Sequence, residues 1–252
     1  MRITNRYQAF ATHLGGSAVI ALLSALLVFV VWYPAPLAAL SGVTAIFLIV
    51  LAVDVIVGPF ITLVVFNRAK PELKRDLAIV LALQIAALAY GLHTVYVARP
   101  AYLVFSADRF DVVYANELTA EKLAKVTDDR YRKVPVFGPQ TIAARRPPAG
   151  KERNDIMFGA LEGGDDVPQL PQYYEPLDNQ KAQLLQRVLP LDQLKTFNPH
   201  AEDEVAALLR HHSGASGGVG FVPVRGKVAD AVAVIDKSSG AVLDIVELKP
   251  WQ

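Results

Sequence analysis

Three long apolar runs fill the first hundred positions, and beyond them the pattern changes to short alternating segments separated by turn residues. Residues 14–32 pass 19 positions without a charge, residues 43–66 run for 24 with only Asp54 interrupting, and residues 77–97 continue for 21 without Asp, Glu, Lys or Arg. At a rise of about 1.5 Å per helical residue, each run can cross a hydrocarbon core of about 30 Å. The pattern predicts three transmembrane helices. Arg2 and Arg6 precede the first run as they would in a signal peptide, but the run exceeds the usual apolar core of such a peptide and no small-x-small cleavage site follows. It reads as a retained span.

The remainder predicts a water-soluble α+β domain, giving a division into 1–98 and 99–252. Residues 102–105 and 110–114 alternate around a short turn and read as paired strands, with a helix expected at 120–126. The stretch 128–174 holds six prolines and a Gly-Gly pair, lacks periodicity, and reads as irregular and partly mobile. Asp178 is expected to cap a helix reaching about Val188. Asn198 followed by Pro199 and an acidic first turn predicts a helix over 199–212. Residues 220–224, 229–236 and 241–248 are β-rich and predict an antiparallel meander, so the domain is expected to be an antiparallel sheet with helices on one face. Val232, Val234, Val242, Ile245 and Leu248 are its expected core.

Composition agrees with this division. The chain is 53% hydrophobic and 19% charged, too apolar for an average soluble protein. Residues 1–97 carry 6 basic and 3 acidic side chains, whereas residues 98–252 carry 19 and 21. The second part has the charge density of a soluble domain, and its net −2 gives no field for binding phosphates, which argues against a nucleic-acid partner. With no cysteine, disulfides, thiolate nucleophiles and cysteine metal sites are excluded.

Flanking charge sets the orientation. The connection at 33–42 carries no Lys or Arg, while the one at 67–76 carries Arg68, Lys70, Lys74 and Arg75. Since basic residues are retained in the cytoplasm, the N-terminus and the second loop are expected inside, with the first loop and everything after Val97 outside. Tyr7 and Phe10 are expected at the inner interface, and Trp32, Tyr33, Tyr96 and Tyr102 at the outer one.

Polar residues within the spans are the candidates for function. Asp54 falls near the middle of the second run, where an ionised carboxylate costs about 2.5 to 3.5 kcal/mol on insertion scales. Gly58 and Pro59 follow; the proline removes a backbone hydrogen bond and crowds the Val55 carbonyl, predicting a kink. Asp54, Gly58, Pro59, Thr62, Gln84 and Tyr90 form the candidate polar pocket. Two readings stand side by side: Asp54, protonated or bonded to Gln84 or Thr62, is glue between the helices, or it is a docking point for a polar or positive group on a partner helix. Small residues recur at Ser17, Ala21 and Ala25, and at Ala78, Ala82 and Ala86, and are expected to pack helices closely. His93 reads as interfacial.

These segments resemble the type IV pilin accessory proteins of the TfpX/TfpZ kind. The resemblance lies in "VWYPAPL" at 31–37, "VDVIVGPFITLVVF" at 53–66, "KPELKRDLAIVLALQIAALAYG" at 70–91 and "VFSADRF" at 104–110, and covers roughly residues 5–112. It implies a bacterial inner-membrane protein with a cytoplasmic N-terminus and a periplasmic C-terminal domain. Such a protein would assist pilin stability, delivery or pilus assembly by binding the major pilin and other pilus assembly proteins, without being a pilin or an enzyme.

No catalytic, cofactor or metal constellation is expected from the sequence. His211 and His212 are adjacent and point about 100° apart, without the fourth-residue partner that a shared ion needs, and read as a solvated helix end. Asp165-Asp166 and Glu202-Asp203-Glu204 read as solvated charges. The glycines of 214–220 follow a helix and precede a strand, the reverse of a phosphate-cradling loop. Ser213 and Ser216 have no His and acid partners in the pattern. The competing function is a membrane-anchored periplasmic ligand-binding or sensor module; a proton-coupled role for Asp54 is a further rival.

Overall fold

The structure, a computed structural model, describes residues 5–251. Arg2, read above with Arg6 as the basic flank of the first run, lies outside them. The chain forms two compact units: one runs to Trp32 and resumes over Gly42–Ala98, and the other joins Tyr33–Ser41 to the residues from Arg99 onward.

In the first unit, helices Arg6–Trp32, Val43–Val65 and Leu73–Val97 are long and apolar enough to cross a membrane. The Asn5 side chain caps the first, accepting from the Gln8 amide at 2.9 Å. The second span is central and packs against both others. Phe10 meets Phe60 edge to face, Phe29 meets Phe47, and Trp32 lies 5.1 Å from Tyr96. Gly91 lets the third span approach the second, since a Cβ there would come within 2.6 Å of Val50. Ser17 and Ala21 are buried as expected of a packing stripe, joined by Ser24. Ala78, Ala82 and Ala86 instead face outward, because Gln84, Gly91 and Val95 define the buried face and a two-residue offset turns a helix by about 200°.

The second unit is built on a seven-stranded sheet: β1 Pro100–Ser106, β2 Arg109–Tyr114, β3 Gln140–Ala144, β4 Tyr174–Glu175, β5 Val219–Arg225, β6 Asp230–Asp236 and β7 Val242–Val246. Their order is β4-β3-β1-β2-β5-β6-β7. The α+β class stands, and the hairpin β1–β2 and meander β5–β6–β7 are antiparallel as the pattern predicts. The sheet as a whole is mixed, because β3 and β5 return by long connections and join β1 and β2 in parallel. Both faces are covered, not one. On one face Leu103, Phe105, Phe110, Val112, Val222 and Ala233 pack with Leu184 of helix Lys181–Gln186. On the other, Val232 and Val234 pack with Leu194 and Val205, and Tyr102, Val104 and Val113 pack with Leu118 and Tyr131. Of the expected core, Val232, Val234 and Leu248 are buried, while Val242 and Ile245 are partly buried against it.

Several expectations are corrected. The 128–174 stretch contains β3 and the helix Lys151–Leu161, whose sequence shows no apolar period because only Ile156 packs against the core. Asn198 does not start the expected helix; it is the C-cap of the preceding helix, Leu191–Phe197. Its amide donates to Leu194 O at 2.8 Å and Lys249 O at 2.9 Å and accepts from the Lys249 amide, so it clamps the C-terminal tail, and the helix begins later, at Glu202. Asp178 lies inside a 3-10 turn, Leu177–Gln180, that precedes helix Lys181–Gln186. Tyr33 and Tyr102 are core residues of this unit, not interfacial ones.

The first loop is a structural part of the soluble unit. Leu37 and Leu40 enter the sheet's core, and Leu40 O accepts from the amides of both Lys227 and Val228 at 3.0 Å. Gly226 makes room for this strap, since a Cβ there would stand 2.8 Å from Leu40.

Candidate functional site

The second span does not run as one α-helix. Val43–Ala52 is α-helical, Val53–Val57 winds as a π-helix, and Gly58–Val65 is α-helical again. The physical cause is Pro59, whose ring and missing N–H disturb the ladder; one wider turn before it relieves the crowding, with the Gly58 amide bonding back to Val53 O. Asp54 sits in that turn, so the disturbed backbone and the carboxylate share one place, as the order Asp-x-x-x-Gly-Pro predicts.

Asp54 is 7% exposed and faces Gln84 of the third span. The Gln84 amide spends its hydrogens on it, donating to Asp54 O at 3.0 Å and to Oδ1 at 3.2 Å. Gly58 makes this approach feasible: a Cβ there would fall 1.6 Å from Gln84 Nε2. Two acceptors remain. Asp54 Oδ2 and Gln84 Oε1 are buried and have no hydrogen-bond partner among the described residues. Buried acceptors in that state cost about 1–3 kcal/mol each. Thr62, two turns below Asp54, is buried and bonds not to Asp54 but to His13 Nδ1 of the first span, at 2.6 Å.

A groove of about 360 Å³ runs between the first and third spans, with the second as its floor. His13, Ser17, Asp54, Thr62 and Gln84 are its polar residues, and Ile20, Leu77, Leu81 and Leu88 its apolar walls. A smaller hollow of about 220 Å³, lined by Val50, Gly91 and Tyr90 among others, shares Asp54 and Gln84 with it. These two side chains, with Leu88, thus form the partition between the openings. Tyr90 is 75% exposed at the rim of the smaller hollow and does not join the polar cluster. His13 was not among the candidates read from sequence; it lies near the end of a span, where a lone histidine looks interfacial, and only the packing of the first span on Thr62 reveals its place. In the second loop Lys70 pairs with Asp76 and Arg75 with Glu72, while Arg68 and Lys74 have no ion-pair partner among the described residues.

Comparison with known proteins agrees with the resemblance carried by these segments. A family model described as "Fimbrial assembly protein FimB" matches residues 1–42. The chain is 27% identical over 226 residues to the fimbrial assembly protein of serogroup I of Dichelobacter nodosus, covering 88% of this chain and 87% of that one. It is also 27% identical over 197 residues to the serogroup E1 protein of the same organism, covering 77% and 76%. With the protein of serogroups C1 and C2 it shares 31% identity over 109 residues, which cover 42% of this chain and 83% of the relative. No solved structure matches. The membrane helices, the soluble sheet and this kinship together show that the chain belongs to the fimbrial assembly protein family.

Proposed function

We propose that this protein acts in pilus assembly by binding a type IV major pilin in the inner membrane, through the groove beside Asp54. The family is what points to pilus assembly, and the relatives' names carry it no further than assembly. The observation that supports a binding groove is the incomplete Asp54–Gln84 pair. A carboxylate serving only as glue would have its oxygens filled by its neighbours; here Asp54 Oδ2 and Gln84 Oε1 both lack a donor, at the wall of an opening between two spans. Two acceptors fit a donor-rich group, such as an amine or hydroxyl, on an apolar helix entering from the lipid.

The strap supports the three-span topology, and the basic second loop supports the proposed orientation. Tyr33–Ser41 belongs to the same compact unit as the residues after Arg99, so the first loop and the C-terminal domain lie on one side of the bilayer, as three spans require. The basic second loop then lies in the cytoplasm and the sheet domain in the periplasm. The action is non-covalent: the protein holds or hands over its client. The test is Asp54→Ala and Gln84→Ala in the full chain, with pilin captured by the tagged protein, pilin in the inner membrane and pilin in surface fibres each measured. Loss of capture and of surface fibres supports the reading; unchanged values in all three measurements overturn it.

A further inference from the structure

The soluble unit has a second opening, a cleft of about 640 Å³ at the place where the two halves of the sheet join. β2 and β5 pair over only two positions, Phe110 with Val224 and Asp111 with Arg225, and the cleft opens over that junction. Four guanidinium groups line it, from Arg109, Arg146, Arg153 and Arg225, against two carboxylates, Asp111 and Asp166. The excess of positive charge stands out because residues 98–252 as a whole are net acidic.

The guanidinium groups are unequally committed. Arg153 is spent on the Pro147 carbonyl. Arg109 is paired on both sides, through Nε with Asp111 at 3.4 Å and through Nη1 with Asp108 at 3.3 Å. Arg225 reaches Asp111 only at 3.8 Å, and Arg146 has no ion-pair partner among the described residues. Asp111 is buried, and desolvation raises its carboxyl to about pH 6 even though Arg109 and Arg225 oppose the shift. Even with both carboxylates ionised, four guanidinium groups against Asp111 and Asp166 leave the cleft with an excess of two positive charges. Beside it the helix Lys151–Leu161 leaves Met157, Phe158 and Leu161 exposed, the last at 79%, and Met157 and Leu161 line the cleft together with Val167.

We propose that this cleft binds an acidic stretch of polypeptide, its carboxylates on Arg146 and Arg225 and an apolar side chain on Met157 and Leu161. An inorganic anion would leave the apolar wall unused, and an uncharged apolar segment would leave the guanidinium groups unpaired; a chain that alternates acidic and apolar residues satisfies both. The site is separate from the intramembrane groove, and its test contains no pilin.

Full-length protein in phosphatidylcholine nanodiscs is titrated with a fluorescein-labelled, amidated peptide of alternating Glu and Leu, and with its Gln/Leu counterpart. Saturable binding of the Glu peptide that weakens with salt, and weakens about tenfold or more in the Arg146→Gln/Arg225→Gln protein, is expected. Leu161→Ser is expected to weaken it less. Arg146→Gln alone removes an exposed, unpaired side chain, so unchanged thermal melting in that variant separates loss of binding from loss of fold. Equal binding of both peptides, no binding of either, or undiminished binding by the double variant overturns the proposal. So does displacement of the peptide by phosphatidylglycerol in the discs, which reassigns the cleft to lipid.

Discussion

Two buried carboxylates, one in each unit, are handled in opposite ways. Asp111 lies in a sheet domain whose apolar side chains point inward, and it is paired with the guanidinium group of Arg109 at 3.4 Å, with that of Arg225 farther off at 3.8 Å. Asp54 lies in a helical unit that exposes Leu, Ile and Val outward and turns Ser17, Thr62 and Gln84 inward, and it is held by one neutral amide. The difference follows the solvent. Water lets the soluble unit place charged arginines at a cleft mouth, whereas a span surrounded by hydrocarbon can afford few charges, so its polar residue is matched by an uncharged donor. One carboxylate is compensated within its own fold, and the other keeps an oxygen in reserve.

The largest expected effect tests whether the soluble half stands without its strap. Leu40→Ala leaves a cavity in the sheet's core and is expected to cost the soluble unit about 3 kcal/mol, read as an earlier transition in denaturant. A fragment beginning at Arg99 is expected to lose more still, since it lacks the whole strap. Next, the Asp111 proton is held up to about pH 6 in the folded chain and released near 3.8 in the unfolded one. Between those values the native state binds more protons, so this group's contribution makes stability fall as pH rises, by about 3 kcal/mol in all. Asp111→Asn is expected to flatten that slope, measured by thermal melting across the range.

Smaller effects sharpen the membrane side. Gly58→Ala puts a methyl where the Gln84 amide lies, and is expected to displace that amide from Asp54 at a cost of about 1 kcal/mol to the helical unit, with pilin capture falling alongside. If Gly58→Ala instead leaves capture intact, the Asp54–Gln84 pair is only glue. The smallest effect is expected from Ala82→Leu. Its side chain faces outward, and a change within about 0.5 kcal/mol in detergent unfolding checks that the third span's alanine stripe plays no part in packing this unit.

What could be read ahead of the structure was what repeats along the chain. Apolar runs the length of a bilayer, a basic loop between two of them, and alternating segments around short turns each carry their own physical signature over many residues, so the three spans and the two antiparallel parts of the sheet followed from the sequence. Asp54 and the Gly58-Pro59 step were legible too, because a charge and a helix breaker are conspicuous in a span. Only the tertiary structure could decide which partners such residues meet. His13 finds Thr62 across 49 positions, Asn198 ends one helix and holds Lys249 where it was expected to start the next, and Leu37 and Leu40 of a short loop complete a core built from strands far along the chain. The four arginines of the cleft are scattered from 109 to 225 and share no local pattern. Periodicity reports the environment of a segment; contacts between distant segments are settled by packing, which no local pattern encodes.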